Sequence, residues 1–112
     1  MSITTREGLA AVTDASFADE VLASAQPVLV EFWATWCPPC RMLGPVLTEL
    51  AAEHADRLRV VKLDIDTNPV TARQFSILGA PTMILFRDGQ AVASAVGARS
   101  KNAVWRTFEP YL

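Results

Sequence analysis

Hydrophobic and polar positions change period several times along the chain, and each change marks an element. Residues 9 to 13 predict a short first strand, and Ser16-Phe17-Ala18-Asp19 places a hydroxyl before an acid three positions on, the signature of a helix start. That helix is expected to reach about Ala25, where Pro27 closes it. Val28 to Trp33 is a run of apolar and β-prone residues, read as the second strand. Met42, Leu43, Val46, Leu47, Leu50 and Ala51 then recur at helical spacing to about Ala55. Pro45 lies inside this helix and is expected to kink it.

A third strand is read from Arg59 to Ile65, followed by Asp66-Thr67-Asn68-Pro69 as the cap of a short helix through about Phe75. Thr82 to Phe86 and Gln90 to Val96 form a strand pair around the Asp88-Gly89 turn. A last helix starts at Ser100 and places Val104, Phe108, Tyr111 and Leu112 on one side. The order β-α-β-α-β-α-β-β-α predicts an α/β fold with a mixed sheet of five strands and four helices. Strands separated by helices lie parallel in it, and the hairpin pair lies antiparallel.

The chemistry concentrates in Trp36-Cys37-Pro38-Pro39-Cys40, which holds both cysteines of the chain. A spacing of three residues on a helical turn brings the two Cα atoms to roughly 5 to 6 Å, suited to a disulfide. The strand before and the helix after put Cys37 at a helix N-terminus. Free N–H groups and the macrodipole there favour a thiolate, drawing a thiol from about 8.5 towards 7 or below. Cys37 is therefore expected to attack, and Cys40, one turn further in and less accessible, to resolve the mixed disulfide. A structural disulfide and half of a metal site are the alternatives for this pair.

At 112 residues, 51% hydrophobic and 20% charged, the chain supplies one core, and residues 1–112 are read as a single domain. The net charge of -2, with both signs interspersed, gives no basic stripe for nucleic acid or anionic lipid and suits protein partners. Residues 1 to 27 lack the basic and apolar regions of a secretory leader, and no apolar run approaches the roughly 20 residues of a spanning helix. A cytoplasmic location follows as an expectation, and there a CxxC pair points to catalysis. No metal is expected: His54, the single histidine, lies fourteen residues beyond Cys40 and on the order of 20 Å away along the helix. Phe17, Phe75, Trp105 and Phe108 read as core, and Asp64 and Asp66 as solvated or capping groups.

Several ordered blocks together resemble the thioredoxin family over nearly the whole chain. They are Val28 to Ala34, Trp36 to Met42, Val61-Lys62-Leu63-Asp64-Ile65-Asp66, Asn68-Pro69, Gly79-Ala80-Pro81-Thr82, Phe86-Arg87-Asp88-Gly89 and Val96-Gly97-Ala98. The resemblance implies the thioredoxin fold and reduction of protein disulfides, with a Cys37–Cys40 redox disulfide, no bound cofactor, and electrons from NADPH through thioredoxin reductase. Its implied partners are that reductase and diverse disulfide-containing proteins, met by a monomer. It also implies a cis bond before Pro81, opposite Cys37, and a flat apolar docking rim of Trp36, Pro38, Pro39, Ala80, Pro81, Val96, Gly97 and Ala98. Trp33 is expected in the core, with Asp66 hydrogen-bonding near it.

Two positions depart from the family pattern. Pro38 and Pro39 stand where glycine then proline is usual, which removes an N–H near sulfur and stiffens the turn, so these two residues are expected to tune the reduction potential. Glu31 stands in the place of a buried aspartate, and the family likeness implies that it exchanges a proton with Cys40 and that Lys62 partners it. Two other readings remain open at this point. The segment Ala34 to Arg41 is also similar to thioredoxin-like reductases of cytochrome maturation, and the fold can serve as a docking module without catalysis.

Overall fold

A computed structural model describes residues 8–112, and the readings that include residues 1–7 lie in part outside the described residues. The strands are β1 (Ala10–Ala11), β2 (Val28–Trp33), β3 (Arg59–Asp64), β4 (Thr82–Arg87) and β5 (Gln90–Val96). The helices are α1 (Ala18–Leu22), α2 (Pro38–Glu53), α3 (Pro69–Gln74) and α4 (Lys101–Phe108), the last followed by a 3-10 turn at Glu109–Tyr111. The five strands form one sheet in the order β1-β3-β2-β4-β5. β1 and β2 run parallel to β3, whereas β4 lies antiparallel to β2 and β5 antiparallel to β4. The expected thioredoxin-type mixed sheet with four helices is thus the observed architecture.

β2 sits at the centre and is covered on both faces, which is why its residues read as an apolar run broken only by Glu31. Its alternate side chains serve two cores. Leu29 joins Leu43, Leu47, Leu50, Met83, Val104 and Phe108 on the face under α2 and α4. Val28, Val30 and Phe32 join Phe17, Val21, Leu63, Ile84 and Phe86 on the opposite face. Glu31 and Trp33, in phase with Leu29, consequently point to the α2 side.

Local chemistry accounts for most element boundaries. Asp88 and Gly89 both take positive φ, 53° and 78°, as a tight two-residue turn between β4 and β5 requires. Ser100 caps α4, its Oγ accepting the Ala103 N–H at 3.2 Å. α2 runs through Pro45 as one element.

Some expectations fail for identifiable reasons. The first helix is a single π-helical turn without a side-chain cap, because Ser16 Oγ accepts instead from the Thr13 N–H at 2.9 Å. Asp66 to Asn68 do not cap α3 with a side chain. The cap comes from Asp14, 57 positions before Thr71: its carboxylate accepts from Val70 N at 3.2 Å, Thr71 N at 2.8 Å and Thr71 Oγ1 at 2.6 Å. Burial draws the Asp14 carboxyl upward, but these hydrogen bonds and the charge of Arg73 outweigh it and hold it below its ordinary value. Met42 is exposed, since the buried arc of α2 is set by Leu43, Leu47 and Leu50. Trp105 is only half-buried and stacks on His54, ring centroids 3.6 Å apart. Tyr111 is also exposed, because the chain tightens into the 3-10 turn after Phe108 and leaves the face of α4.

Candidate active site

The central strand ends at Trp33, and three loop residues later Cys37 forms the N-cap of α2 with extended backbone, φ −101° and ψ 103°. Pro38 and Pro39 occupy the first two helical positions, where the fixed φ of proline suits the turn and its missing N–H removes a donor. The first N–H of the helix is therefore that of Cys40. It is shared between Cys37 Sγ and the Cys37 carbonyl oxygen, both at 3.2 Å. This amide and the positive end of α2 are the groups that favour negative charge on the Cys37 sulfur.

Cys37 and Cys40 are joined in a disulfide with Cα atoms 5.3 Å apart. Accessibility does not separate them as expected: Cys37 is 1% exposed and Cys40 4%. Trp33, Ile65 and Ala80 pack around the pair together with Ala34 and close it in. What differs between the two sulfurs is position, one at the helix cap and the other a turn inside.

Around the disulfide the rim residues divide. Trp36, Pro38, Pro39, Val96 and Ala98 are exposed, Ala80 and Gly97 half-buried, and Pro81 buried. The Ala80–Pro81 bond is cis. Gly97, at φ 97°, donates its N–H to the Pro81 carbonyl at 2.8 Å, which joins the end of β5 to the loop before β4. Trp36 is held by its Nε1, which donates to Asp66 Oδ2 at 2.9 Å. Asp66, expected to hydrogen-bond near Trp33, thus takes the indole of Trp36, while Trp33 points under α2.

Beneath Cys40 lies an open cleft of about 640 Å³ whose walls include Glu31, Trp33, Arg41, Glu49 and Lys62. Glu31 is 2% exposed, and its Oε2 has no hydrogen-bond partner. Burial pushes its carboxyl up to about 7 against the smaller opposing pull of the Lys62 charge. Lys62 is the register partner of Glu31 on β3, yet its ammonium stands over the Trp33 ring, 5.1 Å from the centroid. The acid, the lysine and the inner sulfur thus meet in one cleft.

Trp33 is a wall of the cleft that the sequence does not signal, since an aromatic at the end of an apolar strand gives no sign of facing a cleft. Among the described residues no group of three or more His, Cys, Asp or Glu side chains is placed to hold a metal ion, and no helix is long and apolar enough to cross a membrane.

Comparison with known proteins places this geometry. The family model described as thioredoxin matches residues 8–109. The thioredoxin of Mycobacterium tuberculosis (strain ATCC 25618 / H37Rv) is 61% identical over 95 residues, covering 85% of this chain and 82% of that protein. The thioredoxin of Mycolicibacterium smegmatis is 57% identical over 104 residues, covering 91% and 93%. A bifunctional thioredoxin reductase/thioredoxin of Mycobacterium leprae is 58% identical over 95 residues, or 85% of this chain and 21% of that protein.

Proposed function

This chain belongs to the thioredoxin family and is a dithiol–disulfide oxidoreductase, and we propose on that premise the roles of its side chains and the source of its electrons. In the reduced protein the Cys37 thiolate attacks one sulfur of a target disulfide, forming a mixed disulfide and releasing the first target thiolate. Cys40 then gives its proton to Glu31, and the Cys40 thiolate attacks the Cys37 sulfur. The Cys37–Cys40 disulfide forms, the second target thiolate leaves, and two electrons have passed to the target. The observation that carries this assignment is the Cys37 sulfur at the α2 cap receiving the Cys40 amide.

Glu31 suits the proton step because a base near 7 can take a thiol proton and return it at neutral pH. Lys62 modulates that carboxyl from the next strand. Pro38 and Pro39 tune the couple by leaving the sulfur a single nearby amide donor. Trp36, Ala80, Pro81, Val96, Gly97 and Ala98 form the surface on which an extended target segment docks, the Ala80 backbone pairing with it.

The disulfide is returned to the dithiol by NADPH through thioredoxin reductase, a partnership supported by the Mycobacterium leprae relative whose name joins the two activities. The remaining parts of the proposal are one domain over residues 1–112, a monomer, a cytoplasmic location and many disulfide-bearing protein targets. The test is NADPH consumption with thioredoxin reductase and a disulfide-bonded protein. Turnover is expected from the native protein and none from Cys37→Ser, while Cys40→Ser accumulates a mixed disulfide with the target. Turnover by Cys37→Ser would refute the assignment of the attacking sulfur, and failure of the native protein with the reductase would refute the electron source.

A further inference from the structure

Glu31 and Trp33 are two residues apart on β2 and share its α2 face, and Lys62 is the parallel register partner of Glu31 on β3. Neighbouring strands are about 4.8 Å apart, so a glutamate and a lysine in this relation have the reach to form an ion pair. They do not. The ion pairs among the described residues leave both unpaired, Glu31 Oε2 has no partner at all, and the Lys62 ammonium lies 5.1 Å from the centre of the Trp33 ring. A cation over an indole face is attracted by the negative face of the ring, most strongly where water is partly excluded. The ring therefore competes with the carboxylate for the one cation of β3 in reach of both.

We propose that Trp33 is a positioning residue, its indole face holding the Lys62 ammonium off the Glu31 carboxyl and so leaving that carboxyl able to pass a proton to and from the Cys40 sulfur. The inference rests on Glu31 serving as the proton partner of Cys40. In the step concerned the Cys40 S–H bond breaks, its electron pair stays on sulfur, and the proton forms an O–H bond on Glu31. A lysine seated on Glu31 would favour the carboxylate and weaken it as a base for a thiol. The other groups around Glu31 are Cys40, Arg41 and Glu49 of α2, which share the cleft, and Met83 of β4, its register partner there, which carries no charge. Arg41 is engaged elsewhere, donating to the Thr35 carbonyl at 3.1 Å.

Titration of the Glu31 side-chain carboxyl by 13C NMR in the disulfide form tests this in Trp33→Leu, Trp33→Phe, Lys62→Met and the paired variants. Trp33→Leu frees Lys62 to reach Glu31, and the midpoint is expected to fall by about one pH unit. Trp33→Phe keeps a ring with a weaker face, so a smaller fall of the same sign is expected. Both falls should vanish in the Lys62→Met background. A midpoint that does not fall in either variant, or that falls equally without the lysine, overturns the proposal, because a merely structural tryptophan acts through water entry and needs no cation. If Trp33→Leu does not fold, Trp33→Phe with and without Lys62→Met decides the matter alone. The pH profile of turnover in Glu31→Gln tests the underlying reading separately. A profile unchanged from the native one removes the proton-partner role, whereas the NMR series still determines whether Trp33 holds the lysine.

Discussion

Replacing Glu31 by glutamine should make stability less dependent on pH, and the size of the effect follows from where the carboxyl sits. Its ordinary value of 4.5 is raised to about 7 in the folded protein, chiefly by burial under α2. Between those values the folded protein keeps a proton that the unfolded chain has released, so stability falls as pH rises through this window. Below 4.5 both states are protonated and the group contributes nothing further; above about 7 the whole penalty is present. At about 1.4 kcal/mol per pH unit the gap amounts to about 3 kcal/mol. The glutamine side chain cannot ionise, and the other titrating groups are common to both proteins, so they cancel in the difference. Urea unfolding of the disulfide forms at intervals from about pH 4 to about pH 9 measures it. With a slope of about 1 to 3 kcal/mol per molar urea, the variant's midpoint should gain on the native one by on the order of 1 to 3 M across the range. A difference between the two proteins that stays constant with pH would refute the buried, proton-retaining carboxyl.

Three further outcomes follow from the packing. Asp14→Ala should lower the melting temperature at neutral pH by uncapping α3; because the carboxyl is held below its ordinary value of 3.8, this advantage of the native protein should shrink as pH falls through that region, which paired thermal melts would show. Leu47→Ala, at a fully buried position under the sheet, should cost about 2 to 5 kcal/mol in denaturant unfolding. Gly89→Ala should cost about 1 to 2 kcal/mol in the same assay, because φ is 78° and the added Cβ would stand 3.2 Å from the Leu22 carbonyl oxygen.

Features written in neighbouring residues were legible without coordinates. The apolar run of β2, the CxxC at a strand-to-helix junction, the Asp88-Gly89 turn and the Ser100 cap each depend on contacts within a few positions, and each appears where the pattern placed it. Position 31 was legible in a different way. A carboxylate in a strand too apolar for the surface already demanded a raised proton affinity, and its burial at 2% exposure agrees.

The sequence by itself determined the succession of elements and the pair of sulfurs, because periodicity, turn residues and cap residues act over one or two turns of chain. Only the tertiary structure decided which distant groups meet. Asp14 caps a helix through Thr71, 57 positions away, and Asp66 takes the indole of Trp36 in preference to that of Trp33. Lys62 settles on the ring of Trp33 although the carboxylate of Glu31 is its direct partner in the register, and Cys37 is enclosed as fully as Cys40. In each case several partners are chemically acceptable, and the choice among them is made by the direction in which a strand or helix presents its side chains once both faces of the sheet are covered.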